Sequence, residues 1–152
     1  MSLAPGDLAP QFVLPDADGN WVRLSDFHRK RVIIFFYPRD HTPSCTTEAC
    51  GFRDLYPKYR ALDLIILGIS ADDAESHTQF ATQYQLPFRL LCDENGKVAR
   101  AYGSYGSKKF MGREFMGIYH HTFIINPAGY IEQIYLQVKP STHAAEILKE
   151  LS

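Results

Sequence analysis

The residues best suited to chemistry lie in the segment 36–54, which reads FYPRDHTPSCTTEACGFRD. Thr42 is a favourable N-cap and Pro43 suits the first helical position, so a helix is predicted to begin here with Cys45 as its third residue. The unpaired N–H groups and the dipole of a helix start favour a thiolate over a thiol. Cys45 is therefore a candidate nucleophile, and the alternative is a small apolar residue packed under the first turn.

A helix start alone does not supply enough energy to ionise a thiol at neutral pH. A free thiol ionises near about pH 8.5, and lowering that midpoint by roughly two pH units requires about 2.7 kcal/mol. A helix terminus supplies about 0.3 to 1 kcal/mol, and about 2 kcal/mol at best. A cation or further donors must supply the rest. The sequence offers Arg39, Arg53, Arg113 or a protonated histidine, without ranking them.

A second thiol, Cys50, lies five residues after Cys45. In a helix this spacing separates the two Cα atoms by about 8.7 Å, beyond the roughly 7 Å limit for a disulfide. A bond between them requires the helix to unwind. Thr46, Thr47 and Gly51 are weak helix formers, which lowers the cost of melting the first turns. Pairing of the two thiols is therefore expected to be gated by local unfolding.

The surrounding segments predict strands that alternate with helices. A hairpin is predicted over 11–27, with strands at 31–38, 62–70, 88–93, 122–126 and 130–136, and helices from 43, over 72–84 and over 142–152. The Gly-rich segment 103–117 is predicted as a surface loop or an excursion from the fold. This pattern predicts an α/β fold with helices on both faces of a central sheet. Binding sites in such sheets lie beyond the carboxyl ends of the strands, where residues 38–45 fall.

Length and composition exclude several classes of function. The 152 residues fit a single domain over 1–152, and 16 Lys and Arg against 17 Asp and Glu leave no basic field for nucleic acid. The longest apolar run, residues 32–37, is far shorter than the about 20 residues of a membrane span. The start MSLAPGDLAPQF lacks the pattern of a secretory signal, so a cytoplasmic location is expected.

The cysteine segment resembles a known family. The pattern Pro38-x-x-x-Thr42-x-x-Cys45 resembles the peroxiredoxin active-site motif, and the Cys-x4-Cys of TPSCTTEACGFRD resembles the bacterioferritin comigratory protein (Q-type) subfamily. The resemblance covers nearly the whole chain, from GDLAPQFVLPDADG through FFYP and LGIS to TFIIN. It implies a thioredoxin-like fold with a central mixed sheet flanked by helices and an N-terminal β-hairpin.

The resemblance also implies a thiol-dependent peroxidase. Cys45 would attack hydrogen peroxide or an organic hydroperoxide and become a sulfenic acid, and Cys50 would resolve it as an intramolecular disulfide that thioredoxin or a similar dithiol reduces. Thr42 would hydrogen-bond the thiolate and the peroxide, and Pro38 would shield the pocket from water. The resemblance implies no metal ion or organic cofactor, and a monomer or weak dimer.

The sequence departs from this family at His120. The family has an arginine two residues before the Thr-Phe of the late strand, and this chain has His120 there, in GIYHHTFIIN. We hypothesise that His120 becomes an imidazolium when Cys45 ionises, since a nearby anion raises a histidine pKa. The alternatives are a cation from elsewhere, a less activated thiolate, or an ordinary strand histidine such as His121. Ser44 also replaces the usual glycine.

Other interpretations of the thiols are weaker. Cys92 ends an apolar strand and is expected to pack there, with a second resolving role as a minor alternative. A thioredoxin-like disulfide oxidoreductase is disfavoured because the chain has no Cys-x-x-Cys, whereas a redox-responsive binding protein remains an alternative. A zinc site is disfavoured because helical geometry keeps two of its thiols from facing one ion; its ligands would be His41, Cys45, Cys50 and His120.

Overall fold

A computed structural model describes residues 3–152 of the chain. Its helices and strands are, in chain order, β1 (Val13–Pro15), β2 (Trp21–Arg23), β3 (Arg31–Phe36), α1 (Pro43–Ala61), β4 (Leu64–Ser70), α2 (Ala74–Tyr84), β5 (Arg89–Cys92), α3 (Lys97–Ala101), β6 (Tyr105–Phe110), β7 (Arg113–Ile118), β8 (His121–Ile125), β9 (Ile131–Tyr135) and α4 (His143–Leu151). A short 3-10 helix, Leu24–Phe27, follows β2. None of the helices in this described part combines the length and apolar character that a bilayer-spanning helix needs.

The central sheet is mixed, with strand order β5-β4-β3-β8-β9. Strands β3, β4 and β5 are parallel, whereas β8 runs antiparallel to β3 and β9 antiparallel to β8. The apolar runs predicted as buried strands form β3 and β4 near its centre, where helices and loops cover both faces. The predicted N-terminal hairpin is β1 paired with β2. The expected α/β fold, with a mixed sheet and an N-terminal hairpin, is confirmed.

Alternating side chains of β3 fill two core layers. Ile33 and Phe35 pack on the side of α1 and α4, where Phe35 stacks on Phe52 with ring centroids 4.9 Å apart. Ile34 and Phe36 pack on the opposite side, against the β1–β2 hairpin and α3. The period-two alternation of a strand explains this division. The end of β3 is thereby held rigidly at the base of the cysteine segment.

Helix α1 continues through Pro57 to its last turn, although proline and glycine were expected to weaken it. Gly51 faces the start of α4, where a Cβ atom added to it would lie 3.5 Å from the Cβ of Ala144. Phe52 and Tyr59 are fully buried on the same side of the helix. Helix α1 is therefore anchored firmly from Gly51 onward.

The prediction of a surface loop at residues 103–117 is wrong. These residues contribute to the antiparallel pair β6–β7, which runs in register from Tyr105 opposite Ile118 to Phe110 opposite Arg113. Met111 and Gly112, both with positive φ, form its turn. The pair is separate from the central sheet and largely exposed, so its strands carry no alternating apolar pattern that a sequence reading would detect.

His143, the first residue of α4, is expected to make the protein sensitive to acid. Its buried Nε2 lies 2.8 Å from Oγ1 of Thr122, and burial lowers its pKa to about 4, against an opposing influence of Glu146. In the unfolded chain the ring titrates near about 6.5. The pKa of His143 is therefore lower in the folded protein than in the unfolded chain. Its contribution to the stability of the fold is complete above about pH 6.5 and is lost as the pH falls through about 4, because the unfolded chain takes up the proton first.

We expect the free energy of unfolding to fall by about 3 kcal/mol between these two pH values through His143 alone. Urea denaturation of the native protein and of His143→Gln across this range measures the effect. The variant should lose most of the acid dependence, and equal pH slopes in the two proteins would refute the assignment.

Candidate active site

Cys45 lies at the third residue of α1, directly beyond the carboxyl end of β3. Thr42 is the N-cap, with an extended backbone (φ −75°, ψ 151°), and Pro43 is the first helical residue, as predicted. The N–H of Thr46 donates to the carbonyl oxygen of Thr42 at 2.9 Å, which closes the first turn. The Cys45 side chain is only 1% exposed. The capping residues therefore place this thiol at a buried helix start.

The hydroxyl of Thr42 does not cap the helix. Its Oγ1 donates to the carbonyl oxygen of Arg39 at 3.1 Å, and within the described residues no side chain caps the first turn. The backbone N–H groups next to Cys45 therefore remain directed at the space beside the thiol. Pro38 is half-buried; the residue before it, Tyr37, is buried, and Asp40, two residues later, is also buried. The peroxide-holding role of Thr42 and the shielding role of Pro38 stay predictions.

The structure brings His120 to Cys45. The antiparallel register pairs Phe36, at the end of β3, with His121, so residues just before β8 lie beside the start of α1. The Nε2 atom of His120 is 3.7 Å from Sγ of Cys45, within hydrogen-bonding distance for sulfur, and 3.5 Å from Oγ of Ser44. The residue that replaces the expected arginine therefore contacts the candidate nucleophile.

Glu48 is a further candidate site residue, and it was not predicted from the sequence. It lies three residues after Cys45 on the same face of α1, and it is only 1% exposed. Its Oε1 is 3.5 Å from Nδ1 of His120, an ion-pair distance, and neither carboxylate oxygen accepts a hydrogen bond from the described residues. Its spacing offered a sequence signal: three residues after Cys45 and four before the apolar Phe52, Glu48 shares their face of the helix and therefore points inward.

These three side chains form a row in which His120 lies between Cys45 and Glu48. Burial opposes a charge on His120, but Cys45 and Glu48 outweigh it and raise its pKa to about 9. Burial raises the pKa of Glu48, and His120 opposes part of that rise. If the ring is an imidazolium between a thiolate and a carboxylate, each charged group stabilises the charged form of its neighbour.

Of the arginines named from the sequence, Arg39 and Arg113 are exposed, whereas Cys45 is buried. Arg53 donates to the carbonyl oxygen of Tyr84, pairs with Asp54, and lowers the pKa of Cys50 against the effect of burial. The nearby cation that sequence analysis missed is Lys108 on β6. Its ammonium donates to the carbonyl oxygen of Ile118 at 2.8 Å. Burial lowers the pKa of Lys108, and Cys45 is close enough to oppose that shift.

The other two cysteines have different environments. Cys50 is half-buried on α1, and burial raises its pKa, with Arg53 opposing the shift. Cys92 is 5% exposed at the end of β5, and burial raises its pKa to about 11. All three cysteines are free thiols. Cys45 is therefore the cysteine that lies at the helix start and contacts a histidine.

A buried polar network supports the loop between β3 and α1. Asp40 accepts hydrogen bonds from the hydroxyl of Tyr37 at 2.6 Å and of Ser76 at 2.8 Å, and its Oδ2 is 2.7 Å from Nδ1 of His77. The other ring nitrogen of His77 is 2.9 Å from the carbonyl oxygen of Leu91. Because both ring nitrogens face oxygen acceptors, His77 is an imidazolium.

The pKa directions agree with this charge state. Burial opposes the charge on His77, but Asp40 raises its pKa; burial likewise opposes the charge on Asp40, but His77 lowers its pKa. The backbone N–H of Asp40 also donates to Oδ2 of Asp72 at 2.7 Å. Although Asp40, Asp72 and His77 lie close enough to hold a metal ion, their oxygens already accept hydrogen bonds from the protein. The cluster therefore acts as a support for the active-site loop.

Comparison with known proteins agrees with this geometry. The pattern of the AhpC/TSA family matches residues 5–134. The chain is 42% identical to the putative peroxiredoxin bcp of Helicobacter pylori over 98% of both chains. It is also 42% identical to peroxiredoxin Bcp of Escherichia coli K12, over 98% of this chain and 96% of that protein.

A solved structure adds a likeness in three dimensions. The bacterioferritin comigratory protein of Xanthomonas campestris, studied for its alkyl peroxide reduction activity, is 31% identical and superimposes with a TM-score of 0.87. The match covers 92% of this chain and 89% of that one. The resemblance noted in the sequence is thereby confirmed. Because the family pattern matches most of the chain and its relatives match along nearly their whole length, this chain belongs to the AhpC/TSA family, among the peroxiredoxins of the Bcp, or Q, type.

Proposed function

We propose that this protein reduces hydrogen peroxide and organic hydroperoxides, with Cys45 as the attacking thiol. The observation that carries the proposal is the position of Cys45 at a buried helix start, 3.7 Å from the imidazolium of His120. The alkyl peroxide reduction described for the structurally similar Xanthomonas campestris protein supports the same substrate class. The peroxide needs no metal or organic cofactor for this step, because the thiolate itself supplies both electrons.

The first step is a displacement at the O–O bond. The Cys45 thiolate attacks the terminal oxygen, an S–O bond forms, and the O–O bond breaks. The leaving alkoxide or hydroxide takes a proton and departs as alcohol or water. Sulfur is oxidised to a sulfenic acid, and the peroxide is reduced by the same two electrons.

The second step assigns Cys50 as the resolving cysteine. Its thiolate attacks the sulfenic acid of Cys45, an S–S bond forms, and the hydroxyl leaves as water after taking a proton. Both residues lie on α1, where helical spacing holds their Cα atoms about 8.7 Å apart, so the first turns must unwind. A dithiol such as thioredoxin then reduces the disulfide by thiol exchange, and we propose a monomer or weak dimer as the working form.

Cys50→Ser tests this assignment. We expect peptide mapping of the peroxide-treated native protein to show a Cys45–Cys50 disulfide. The variant should stop at a Cys45 sulfenic acid, because no thiol is available to displace its hydroxyl. In an assay that couples peroxide to NADPH through thioredoxin and its reductase, turnover should stall after one equivalent.

Cys92→Ser is the matched control and should turn over at the native rate, because burial keeps that thiol protonated. A disulfide to Cys92, or sustained native turnover by Cys50→Ser, would contradict the resolving role. If Cys45 oxidises once and no dithiol reduces it, the protein is instead a redox-responsive binding protein.

A further inference from the structure

We propose that His120 is the general acid of peroxide reduction, that Glu48 positions it, and that loss of the His120 proton drives the unfolding of α1 that brings Cys45 to Cys50. The inference rests on the proposed function, since it assumes that Cys45 attacks the peroxide. It assigns the proton that the leaving oxygen needs, and it links the first chemical step to the second.

The contacts of the His120 ring indicate that both nitrogens carry protons. Its Nε2 faces Sγ of Cys45 at 3.7 Å, and its Nδ1 faces Oε1 of Glu48 at 3.5 Å. A thiolate and a carboxylate are both negatively charged, so the ring between them is favoured as an imidazolium, which carries a proton on each nitrogen. The Nε2–H group therefore lies next to the atom that attacks the peroxide.

The imidazolium offers chemistry that an arginine does not. A guanidinium keeps its protons up to about pH 12, so it acts here only as a fixed charge. An imidazolium releases its proton within the range in which the protein works. Because the attacked O–O bond must lie at Sγ of Cys45, the leaving oxygen comes within reach of Nε2 of His120.

The proposed step balances in atoms and charge. A thiolate, an imidazolium and a hydroperoxide become a sulfenic acid, a neutral imidazole and an alcohol, or water when the substrate is hydrogen peroxide. The S–O bond forms as the O–O bond breaks, and the proton moves from Nε2 of His120 to the leaving oxygen. Solvent returns a proton to His120 before the next cycle.

After this step, Glu48 is a buried anion that has lost its cation. Its side chain is 1% exposed, and within the described residues no donor other than the His120 ring faces it. A buried carboxylate without a paired charge is strongly unfavourable. Glu48 lies on α1 between Cys45 and Cys50, so unfolding of the first turns carries this carboxylate into water. The same motion releases the Cys45 sulfenic acid toward Cys50.

The charge state of His120 depends on groups from four elements. Those that act on it are Cys45 and Glu48 on α1, His121 on β8 and His143 on α4, and Lys108 on β6 lies close to Cys45. A charge on His120 lowers the pKa of His121 and of His143. The ammonium of Lys108 already donates to the carbonyl oxygen of Ile118. Glu48 is therefore the carboxylate whose removal is expected to change the protonation of His120 directly.

Two variants separate the roles. His120→Arg keeps a cation between Cys45 and Glu48 but removes the transferable proton, and Glu48→Gln keeps the shape but removes the charge. Glu75→Gln, which changes an exposed carboxylate on α2, is the control. Rapid-quench mass spectrometry in single turnovers measures sulfenic acid formation and disulfide formation as separate rates, with hydrogen peroxide as the probe.

For sulfenic acid formation, we expect the native rate to fall about 10-fold for each pH unit above about 9 and to show a normal solvent deuterium isotope effect. His120→Arg should show neither feature. Glu48→Gln should move the alkaline fall down by about one pH unit, so that its rate at about pH 10, above both midpoints, is about 10-fold below native. Disulfide formation should be at least about 10-fold slower than native in both variants, because no unpaired anion remains.

Equal isotope effects in native protein and His120→Arg would overturn the general-acid role. Native rates of disulfide formation in Glu48→Gln would overturn the coupling. NMR titration of the His120 ring supplies an independent check, and an unchanged midpoint in Glu48→Gln would overturn the positioning role. If the native protein does not form a sulfenic acid, the proposed function itself fails; if it does and these profiles are unmoved, only this inference fails.

Discussion

Cys45→Ser is expected to abolish peroxide reduction, lowering the second-order rate constant by at least about 10³-fold. A serine hydroxyl does not ionise near neutral pH and does not form an oxidised intermediate equivalent to a sulfenic acid. Neither remaining cysteine is expected to substitute, because burial raises the pKa of Cys50 and raises that of Cys92 to about 11. The NADPH-coupled thioredoxin assay measures this loss directly.

The serine is nearly the same size as the cysteine, so the fold is expected to remain intact. Urea unfolding of Cys45→Ser should therefore lie close to that of the native protein, which distinguishes lost chemistry from lost structure. Peroxide turnover above about one hundredth of the native rate in a correctly folded variant would place the attacking thiol elsewhere.

Asp40→Ala is expected to lower the free energy of unfolding by about 3 to 5 kcal/mol. The substitution leaves the His77 imidazolium fully buried without its carboxylate and leaves the hydroxyl of Tyr37 without its acceptor. Removal of one partner from a buried charge pair costs more than the pair contributes, since the remaining charge has no solvent. Urea denaturation near pH 7 is the appropriate measurement.

A double-mutant cycle shows whether the charge pair is responsible. Asp40→Ala combined with His77→Leu should lose less stability than the sum of the two single variants, because the stranded charge is gone. Ser76→Ala, which removes a single neutral donor to Asp40, should cost only about 1 kcal/mol. A loss below about 1 kcal/mol in Asp40→Ala would show that the network does not hold the loop.

Much of the fold was predictable because its signals are local. The continuous apolar runs of β3 and β4 indicate buried strands, and Thr42 with Pro43 marks the start of α1 to the residue. The β6–β7 pair was missed because its strands are exposed and charged. Its formation depends on the positive φ of Met111 and Gly112 in the turn, which the neighbouring sequence does not announce.

The site was predictable from the sequence only at positions that belong to a recognisable motif. Cys45 and His120 were named as candidates from a motif and from a departure at one position, and the structure brings them together. Glu48 was missed because a glutamate in a helix is ordinarily solvated, and its burial depends on how β8 lies beside α1. Lys108 was missed because the strand that carries it, β6, was not predicted.

The packing of Gly51 against α4 determines how far the reactive helix must rearrange. Both sulfur atoms precede this contact, and the fully buried Phe52 and Tyr59 follow it. Opening of the helix is thereby limited to about two turns, and Cys50 sits at the hinge. In the proposed cycle, we therefore expect the protein to change between its thiol and disulfide forms while its central sheet stays unchanged, so that repeated oxidation and reduction leave the scaffold intact.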